Sequence, residues 1–383
     1  MATYTYLNAH INGVRPYFFM YNGQRYNEAH FNGHMLFGQV VTPDPVTKYT
    51  PFFVENITNS NETLSIVKES SAAPTLTIEC STDKQNWTTL GTTSTTAITI
   101  TILPGKQLFI RCSTNTWSSG ASPNYIRGVS KVGGNIMSLM YGSNFVGTET
   151  SFPSGASTRF YNLFYNNTNL KSAEDLFLPA TSTDNSCYMG MFKECTNLES
   201  GPVELPATTL SPYCYAEMFY NCRKLADTPA VLPATTAAYY CYQNMFYSCY
   251  KITSGPALPA TTLAEGCYDN MFRLCTALTT APTLSATTLA TDCYNGMFRS
   301  CKLTTAPDLP APTLVSGCYK WMFNNCNYLT SVKCLATSGI NNDNLYGWMD
   351  GGVGSSGTFY KKAGTTWPTG TNGIPSGWTI VEV

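Results

Sequence analysis

The 383-residue chain is poor in charged side chains. Only 12% of its residues are Asp, Glu, Lys or Arg, and its formal net charge at pH 7 is −1. Nucleic-acid binding draws on clustered Lys and Arg side chains, which this composition does not supply. No apolar run reaches the roughly 18–20 residues that a membrane-spanning helix needs. The sequence therefore argues against nucleic-acid binding and against membrane insertion.

Histidine and recognisable catalytic motifs are scarce as well. The His residues are His10, His30 and His34, so residues 35–383 contain none. A Ser-His-Asp or Cys-His arrangement is thereby excluded from the main body of the chain. No GxSxG, HExxH, GxxxxGK[ST] or GxGxxG motif stands in a plausible context. His30 and His34 are four apart, but in a strand-like segment that spacing has no helical meaning, so we predict no metal site and no cofactor.

A nine-residue word, C-Y-x-x-M-F-x-x-C, dominates the second half of the chain. Its six copies begin at Cys187, Cys214, Cys241, Cys267, Cys293 and Cys318. A period of this length is typical of a solenoid, in which each unit buries its apolar side against its neighbours. Solenoids present long regular surfaces to a partner, which favours a binding protein over an enzyme.

The word also predicts local structure. On a helical wheel its two Cys, its Met and the Leu that follows form one apolar stripe, which predicts an amphipathic helix in each repeat. Phrases such as LPATTL at Leu205 separate the words and predict short extended segments beside each proline. We therefore predict an α/β solenoid, similar to leucine-rich repeats, with the Met-Phe pairs stacked as an internal ladder.

The predicted solenoid has about eight turns of 25–28 residues and covers residues 156–352. Its outer turns would be degenerate caps, RFYNLFYNN at Arg159–Asn167 and NLYGWMDGG at Asn344–Gly352. Terminal repeats are expected to diverge because one face meets solvent or another domain.

The repeated word and the LPATT phrase together resemble the BspA-like leucine-rich repeats. These occur in surface proteins of gut Bacteroidales and in phages of those hosts, including crAss-like phages. The resemblance covers about half of the chain and implies a repeat class that serves in adhesins and in virion proteins. The N-terminal sequence MATYTYLNAHING lacks the basic and apolar regions of a secretory signal. If the chain is full length, this favours a virion protein made in the host cytoplasm over an exported adhesin.

The fifteen cysteines leave three interpretations open. The two Cys of one word are too far apart along a helix to form a disulfide with each other. Buried free thiols, acting as small core hydrophobes, are the interpretation we favour. Disulfides between successive repeats and zinc binding are the alternatives, although zinc sites usually combine closely spaced Cys with His.

Four further segments flank the repeats. Residues 1–43 carry Asn-Gly at Asn12, Asn22 and Asn32, which predicts β-hairpins that dock or oligomerise. Residues 44–118 contain β-branched runs such as TTAITITIL and predict an immunoglobulin-like β-sandwich. Residues 119–155 are predicted to be a linker, and residues 353–383 a C-terminal β cap.

The seventh position of the word points away from the apolar stripe, and successive repeats place it in a column. Exposed Tyr and Arg are enriched in recognition surfaces, and flat rings beside Asn and Arg suit sugars and peptides alike. Ordinary exposed helix residues would give the same pattern. The candidate partner-binding column is Lys193, Tyr220, Tyr247, Arg273, Arg299 and Asn324, with Tyr239, Tyr240 and Trp321 as secondary candidates.

We therefore expect a non-enzymatic virion-surface protein of a Bacteroidales phage: a fibre, spike or head-decoration component. Its solenoid would bind a host-surface glycan or protein, and residues 1–43 would contact other virion proteins. Phage fibres commonly trimerise, so a homotrimer is expected. One alternative is a BspA-like adhesin on a bacterial cell surface. A second is a glycan depolymerase with paired carboxylates, although the acidic residues fall at non-equivalent positions of the repeats: Glu194, Glu217, Asp269 and Asp308.

Overall fold

The computed structural model describes residues 48–112, 117–119, 122–153 and 158–383, together with the backbone of five strands nearer the N-terminus. These five strands form one antiparallel sheet: β1 (Thr5–Tyr6), β2 (Tyr17–Tyr21), β3 (Gln24–Phe31), β4 (His34–Leu36) and β5 (Val40–Val41). Tyr21 pairs with Gln24, and Phe31 pairs with His34. Each pair therefore brackets one Asn-Gly dipeptide. The predicted turn residues Asn12, Asn22 and Asn32 themselves lie outside the described residues.

Two larger sheets follow. Their strands are β6 (Phe53–Glu55), β7 (Glu62–Lys68), β8 (Thr77–Ser81), β9 (Thr88–Thr92), β10 (Ile98–Ile102), β11 (Gln107–Cys112), β12 (Ser118–Ser119), β13 (Ser122–Arg127), β14 (Lys131–Asn135) and β15 (Ser172–Phe177). One sheet has the order β10-β7-β13-β12 and the other the order β15-β14-β6-β11-β8-β9. Apolar side chains of both sheets, among them Leu64, Ile66, Ile78 and Ile110, belong to one buried cluster.

These sheets continue past residue 118. Residues 119–155, predicted to be a linker, instead contribute β13 and β14 and the short helix α1 (Ser138–Tyr141). Strand β14 pairs in parallel with β15, which lies between the first two repeats. The backbone of the sheets is therefore joined directly to the repeats by hydrogen bonds.

The predicted α/β solenoid is wrong. The regular secondary structure of the described residues is mostly β-strand, and the second named α-helix, α2 (Asn342–Leu345), has four residues, as has α1. No α-helix lies within the six words, all of which the structure describes; each word is a run of turns. Among the described residues, no helix is long and apolar enough to cross a membrane.

A two-residue alternation of backbone hydrogen bonds replaces the helix. Within the first word the N–H groups of Tyr188 and Phe192 donate to the carbonyls of Cys214 and Met218, one repeat later. The N–H of Met191, between them, closes a turn on the carbonyl of Tyr188. A helix would send every N–H to the residue four positions earlier. Here even positions of the word bond to the next repeat, and odd positions bond within their own. We call the resulting array, from Arg159–Asn167 to Asn344–Gly352, the repeat stack.

The turns require a left-handed residue at every fourth position. In the word that begins at Cys267, Asn270 has a φ of 52° and Leu274 a φ of 63°, and the preceding Gly266 has a φ of 59°. Asn and Gly adopt this region more readily than other residues. Asn or Gly often occupies these positions, although Trp321 does so as well, with a φ of 51°. The backbone therefore coils with a period of four residues.

A period of four still directs the apolar residues of the word to one side. Met, Phe, both Cys and the Tyr of every word are buried. The Phe rings stack in a continuous ladder: Phe192 and Phe219 lie 5.4 Å apart with parallel planes, and Phe219 and Phe246 are also 5.4 Å apart. The internal ladder that the Met-Phe pairs predict is therefore present, although its backbone is not helical.

The second Cys of each word has a defined hydrogen-bond partner. Cys222 Sγ lies 3.1 Å from the carbonyl oxygen of Phe192, and Cys249 Sγ lies 3.1 Å from that of Phe219. The same contact recurs in the other words: Cys195, Cys275, Cys301 and Cys326. All fifteen cysteines are buried and free in the structure. Burial raises the pKa of Cys195, Cys275 and Cys326 to about 12.

Both ends of the repeat stack are covered. At the first repeat, the carbonyl of Leu163 accepts the N–H of Ile126, and the carbonyl of Tyr165 accepts Nε of Arg127. At the last repeat, the N–H of Gly347 donates to Oδ1 of Asn372. A parallel sheet of β16 (Ser331–Cys334), β17 (Thr358–Lys361) and β18 (Thr379–Glu382) lies at this end.

Candidate functional site

Five residues of the predicted column form one stacked arrangement, which we call the cation–tyrosine row: Lys193, Tyr220, Tyr247, Arg273 and Arg299. The rings of Tyr220 and Tyr247 stack with centroids 4.6 Å apart and an angle of 10° between their planes. Lys193 Nζ lies 5.0 Å from the Tyr220 ring, and the Arg273 guanidinium lies 5.3 Å from the Tyr247 ring. All five side chains are half-buried.

The order of the repeats determines which surfaces of the tyrosine rings are accessible to a ligand. Lys193 precedes Tyr220 by one repeat, and Arg273 follows Tyr247 by one repeat, so a cation covers the outer face of each ring. Flat stacking of a sugar on these faces, which the sequence suggests, is therefore blocked. The row offers the edges of the rings, their hydroxyl groups and the cations themselves.

The cations of the row differ in whether an acidic side chain neutralises their charge. Lys193 Nζ pairs with Glu217 at 2.7 Å. Arg273 contacts Oδ1 of Asn270 at 3.4 Å, and the Arg299 guanidinium lies 5.3 Å from the Trp321 ring. Burial, together with the neighbouring charge of Arg273, lowers the pKa of Arg299. The two guanidinium groups therefore act on each other electrostatically, and the positive charge of the row is concentrated at this end.

Asn324 does not belong to the exposed row, although it occupies the same position of the word. Its side chain is 6% exposed, and Nδ2 donates to the carbonyl of Asp350 at 3.1 Å. The column prediction is wrong at this position, because Asn324 closes the contact to the last repeat instead of facing solvent.

The secondary candidates lie in two separate aromatic groups. Tyr239 is 41% exposed and contacts Tyr240 edge to face, while Tyr240 stacks on Tyr213 at 5.6 Å. Trp321 lies beside Arg299, at the end of the row where the two arginines stand. Lys320 Nζ lies 4.6 Å from its ring. Trp321 therefore extends the positively charged end of the row, and the tyrosine group stands apart from the contacts of the row.

Sequence reasoning did not single out Asp269 as a perturbed group. Its carboxylate accepts hydrogen bonds from Gln243 at 2.9 Å and Asn270 at 2.6 Å. Burial raises its pKa to about 6, and the charge of Asp292 acts in the same direction. Asp269 occupies the third position of the word. Nothing in the sequence pattern indicates that neighbouring turns bury this position.

The other acidic residues named from the sequence have partners of their own. Glu217 pairs with Lys193 and Asp308 pairs with Lys333, both at 2.7 Å, and Glu194 accepts a hydrogen bond from Asn221. Among the described residues, no group of three or more His, Cys, Asp or Glu is arranged to hold a metal ion. The side chains of His30 and His34, like all of His10, lie outside the described residues.

Comparison with protein-family models, with curated proteins and with solved structures gives no match for this chain. The resemblance to BspA-like repeats therefore stays a prediction from the repeat word.

Proposed function

We propose that this chain is a non-enzymatic structural protein of a virion surface whose repeat stack binds the host surface. The cation–tyrosine row is the observation that carries the binding part of the proposal. It places two tyrosines and three cations, all half-buried, on consecutive repeats. The assignment to a fibre, spike or head-decoration component of a Bacteroidales phage rests on the resemblance of the repeat word.

The row is suited to binding because its side chains are held in place before a ligand arrives. The rings of Tyr220 and Tyr247 contact each other on one face and a cation, Lys193 or Arg273, on the other. Lys193 is held in turn by its ion pair with Glu217. Ordering long side chains is one of the main entropic costs of association. Contacts between repeats already order these side chains in the free protein. A ligand that matches the row therefore binds with a smaller loss of side-chain entropy.

The N-terminal segment supplies the second half of the proposal. Five short strands between residues 5 and 41 form a sheet of their own. A sheet buries its apolar face by packing against another layer of structure. We propose that residues 1–43 attach the protein to other virion proteins as a homotrimer, and that the repeat stack faces outward.

Two measurements test the proposal. Purified virions should contain the protein, and the purified full chain should bind intact host cells. The variant Y220A/Y247A should lose cell binding, whereas Y250A/Y328A, which removes two exposed tyrosines outside the row, should retain it. Absence from virions would contradict the assignment to a virion and favour a bacterial adhesin. Equal binding by both variants would contradict the role of the row.

A further inference from the structure

Arg273 and Arg299 stand on consecutive repeats without an ion-pair partner. Within the part of the chain that the structure describes, neither guanidinium has a carboxylate within 4.0 Å, whereas Lys193, in the same row, pairs with Glu217 at 2.7 Å. The nearby acid Asp269 has its oxygens engaged by Gln243 and Asn270. Two adjacent cations are thus held together without a carboxylate in ion-pair contact, although the charge of Arg273 and that of Asp269 act on each other at longer range.

Aromatic rings hold both guanidinium groups in place. Arg273 lies 5.3 Å from the Tyr247 ring, and Arg299 lies 5.3 Å from the Trp321 ring. Planar guanidinium groups donate two parallel hydrogen bonds to a carboxylate, sulfate or phosphate. Backbones joined by hydrogen bonds lie on the order of 5 Å apart, so side chains from consecutive repeats can reach the same anion.

We propose that Arg273 and Arg299 form a binding site for an acidic saccharide whose oxyanion group bridges the two guanidinium groups. The inference rests on the proposed function and names the class of its ligand. A protein partner gains most from Tyr and Arg side chains where they lie in well-packed, fully desolvated pockets. The row instead presents hydroxyl-bearing ring edges of Tyr220 and Tyr247 beside the cations, which suits the hydroxyl groups of a sugar next to its acidic group.

The oxyanion has two common sources in saccharides, a carboxylate and a sulfate ester. Binding of the full chain to polygalacturonate, dextran sulfate and neutral dextran distinguishes them, and polyglutamate serves as an acidic polypeptide. We expect one or both acidic polysaccharides to bind, with an affinity that falls as salt is added. Neutral dextran and polyglutamate should bind at least about tenfold more weakly.

Variants locate the site. R273Q/R299Q should weaken binding of the acidic polysaccharide by about tenfold or more, because charge-assisted hydrogen bonds are lost. R223Q removes an exposed arginine outside the row and should leave binding unchanged. R273K/R299K keeps both charges without the fork-shaped donors, and its affinity should lie between those of the wild type and the glutamine variant. Unchanged circular dichroism of each variant confirms folding.

Several outcomes would overturn the inference. These are failure of both acidic polysaccharides to bind, equal binding by R273Q/R299Q and the wild type, and preference for polyglutamate. The proposed function fails separately, because it requires Y220A/Y247A to lose binding to intact cells. Loss of cell binding in Y220A/Y247A but not in R273Q/R299Q would preserve the function and reject the acidic ligand.

Discussion

The thiol of Cys249 donates to the carbonyl oxygen of Phe219, one repeat earlier, at a distance of 3.1 Å. Because the other words repeat this contact, the second Cys of the word is both a core residue and a hydrogen-bond donor between repeats. The first Cys of the same word, Cys241, is equally buried. Its thiol pKa is also raised by burial.

These two cysteines make a matched pair for mutation. Cys249→Ala and Cys241→Ala remove the same atoms from fully buried positions, but the first also removes the donor to Phe219. We expect Cys249→Ala to lower the free energy of unfolding by about 0.5–1.5 kcal/mol more than Cys241→Ala does. Denaturant unfolding of the two variants measures this difference. Equal losses would mean that the thiol contributes by its volume alone.

The Phe ladder predicts a large effect at its centre. Phe246 is fully buried between Phe219 and Phe272, with ring distances of 5.4 Å and 5.5 Å. Phe246→Ala should cost about 3–5 kcal/mol of unfolding free energy, because it removes ring contacts on both faces and leaves a cavity. Tyr250→Ala, at an exposed ring, should stay within about 0.5 kcal/mol of the wild type. Denaturant unfolding would contradict the ladder if the two variants behaved alike.

Gly266 combines a left-handed backbone with a Cβ direction that meets a side chain of the previous repeat. A Cβ on Gly266 would lie 2.2 Å from the Tyr240 ring, and its φ is 59°. Gly364 has a φ of 74° and open space around its Cβ direction. Gly364→Ala should therefore cost about 1–2 kcal/mol from backbone strain, and Gly266→Ala should cost more in the same unfolding measurement.

A double variant separates the two causes at Gly266. In a Tyr240→Ala background the clash disappears, so Gly266→Ala should then cost about as much as Gly364→Ala. If the cost at Gly266 were independent of Tyr240, packing between the repeats would not explain the glycine.

Asp269 predicts a pH dependence of stability. Burial raises its pKa from 3.8 to about 6, so the folded protein binds a proton that the unfolded chain releases in this range. Stability should therefore fall as the pH rises from about 4 to about 6, by at most about 3 kcal/mol. Unfolding free energies of the wild type and of Asp269→Asn across this range should differ in slope.

The thiols should be unreactive until the protein unfolds. The thiolate is the reactive form of cysteine, and burial raises the pKa of groups such as Cys275 to about 12. A thiol reagent at pH 8 should label few cysteines in the native protein and all fifteen after denaturation without reductant. Fewer labelled thiols, together with cross-linked peptides in mass spectrometry, would establish disulfides between repeats.

The sequence predicts which residues of the word are buried but not the backbone that carries them. Cys, Met and Cys recur at intervals of four, and over nine residues a period of 3.6 and a period of four give nearly the same stripe. The distinguishing signal lay at the fourth and eighth positions, where residues such as Asn270 and Gly296 favour a left-handed conformation. Leu274 and Trp321 at equivalent places hide that signal, because neither is a residue that prefers positive φ.

Strand β14 shows a second limit of sequence reasoning. Its sequence KVGGN contains two glycines, which suggest a turn or a linker. In the fold, a Cβ on Gly133 would lie 2.3 Å from the Phe53 ring. The glycine is needed for close packing against a distant ring, and no local pattern could reveal that. The cation–tyrosine row was visible as a column in the sequence, but the covering of its ring faces follows only from stacking.

Backbone hydrogen bonds between the segments that separate the words run in both directions, but those between the words themselves all point the same way, from an N–H of the earlier repeat to a carbonyl of the later one. Their peptide dipoles therefore add, as they do in an α-helix. Within the column of words, the last word is the positive pole and the first word the negative pole. Arg127 places a cation at the negative pole, and Asn372 offers an oxygen at the positive pole. Both contacts occupy backbone groups to which a further repeat would bind. A second copy of the chain is therefore hindered from extending the column of words by the same hydrogen bonds.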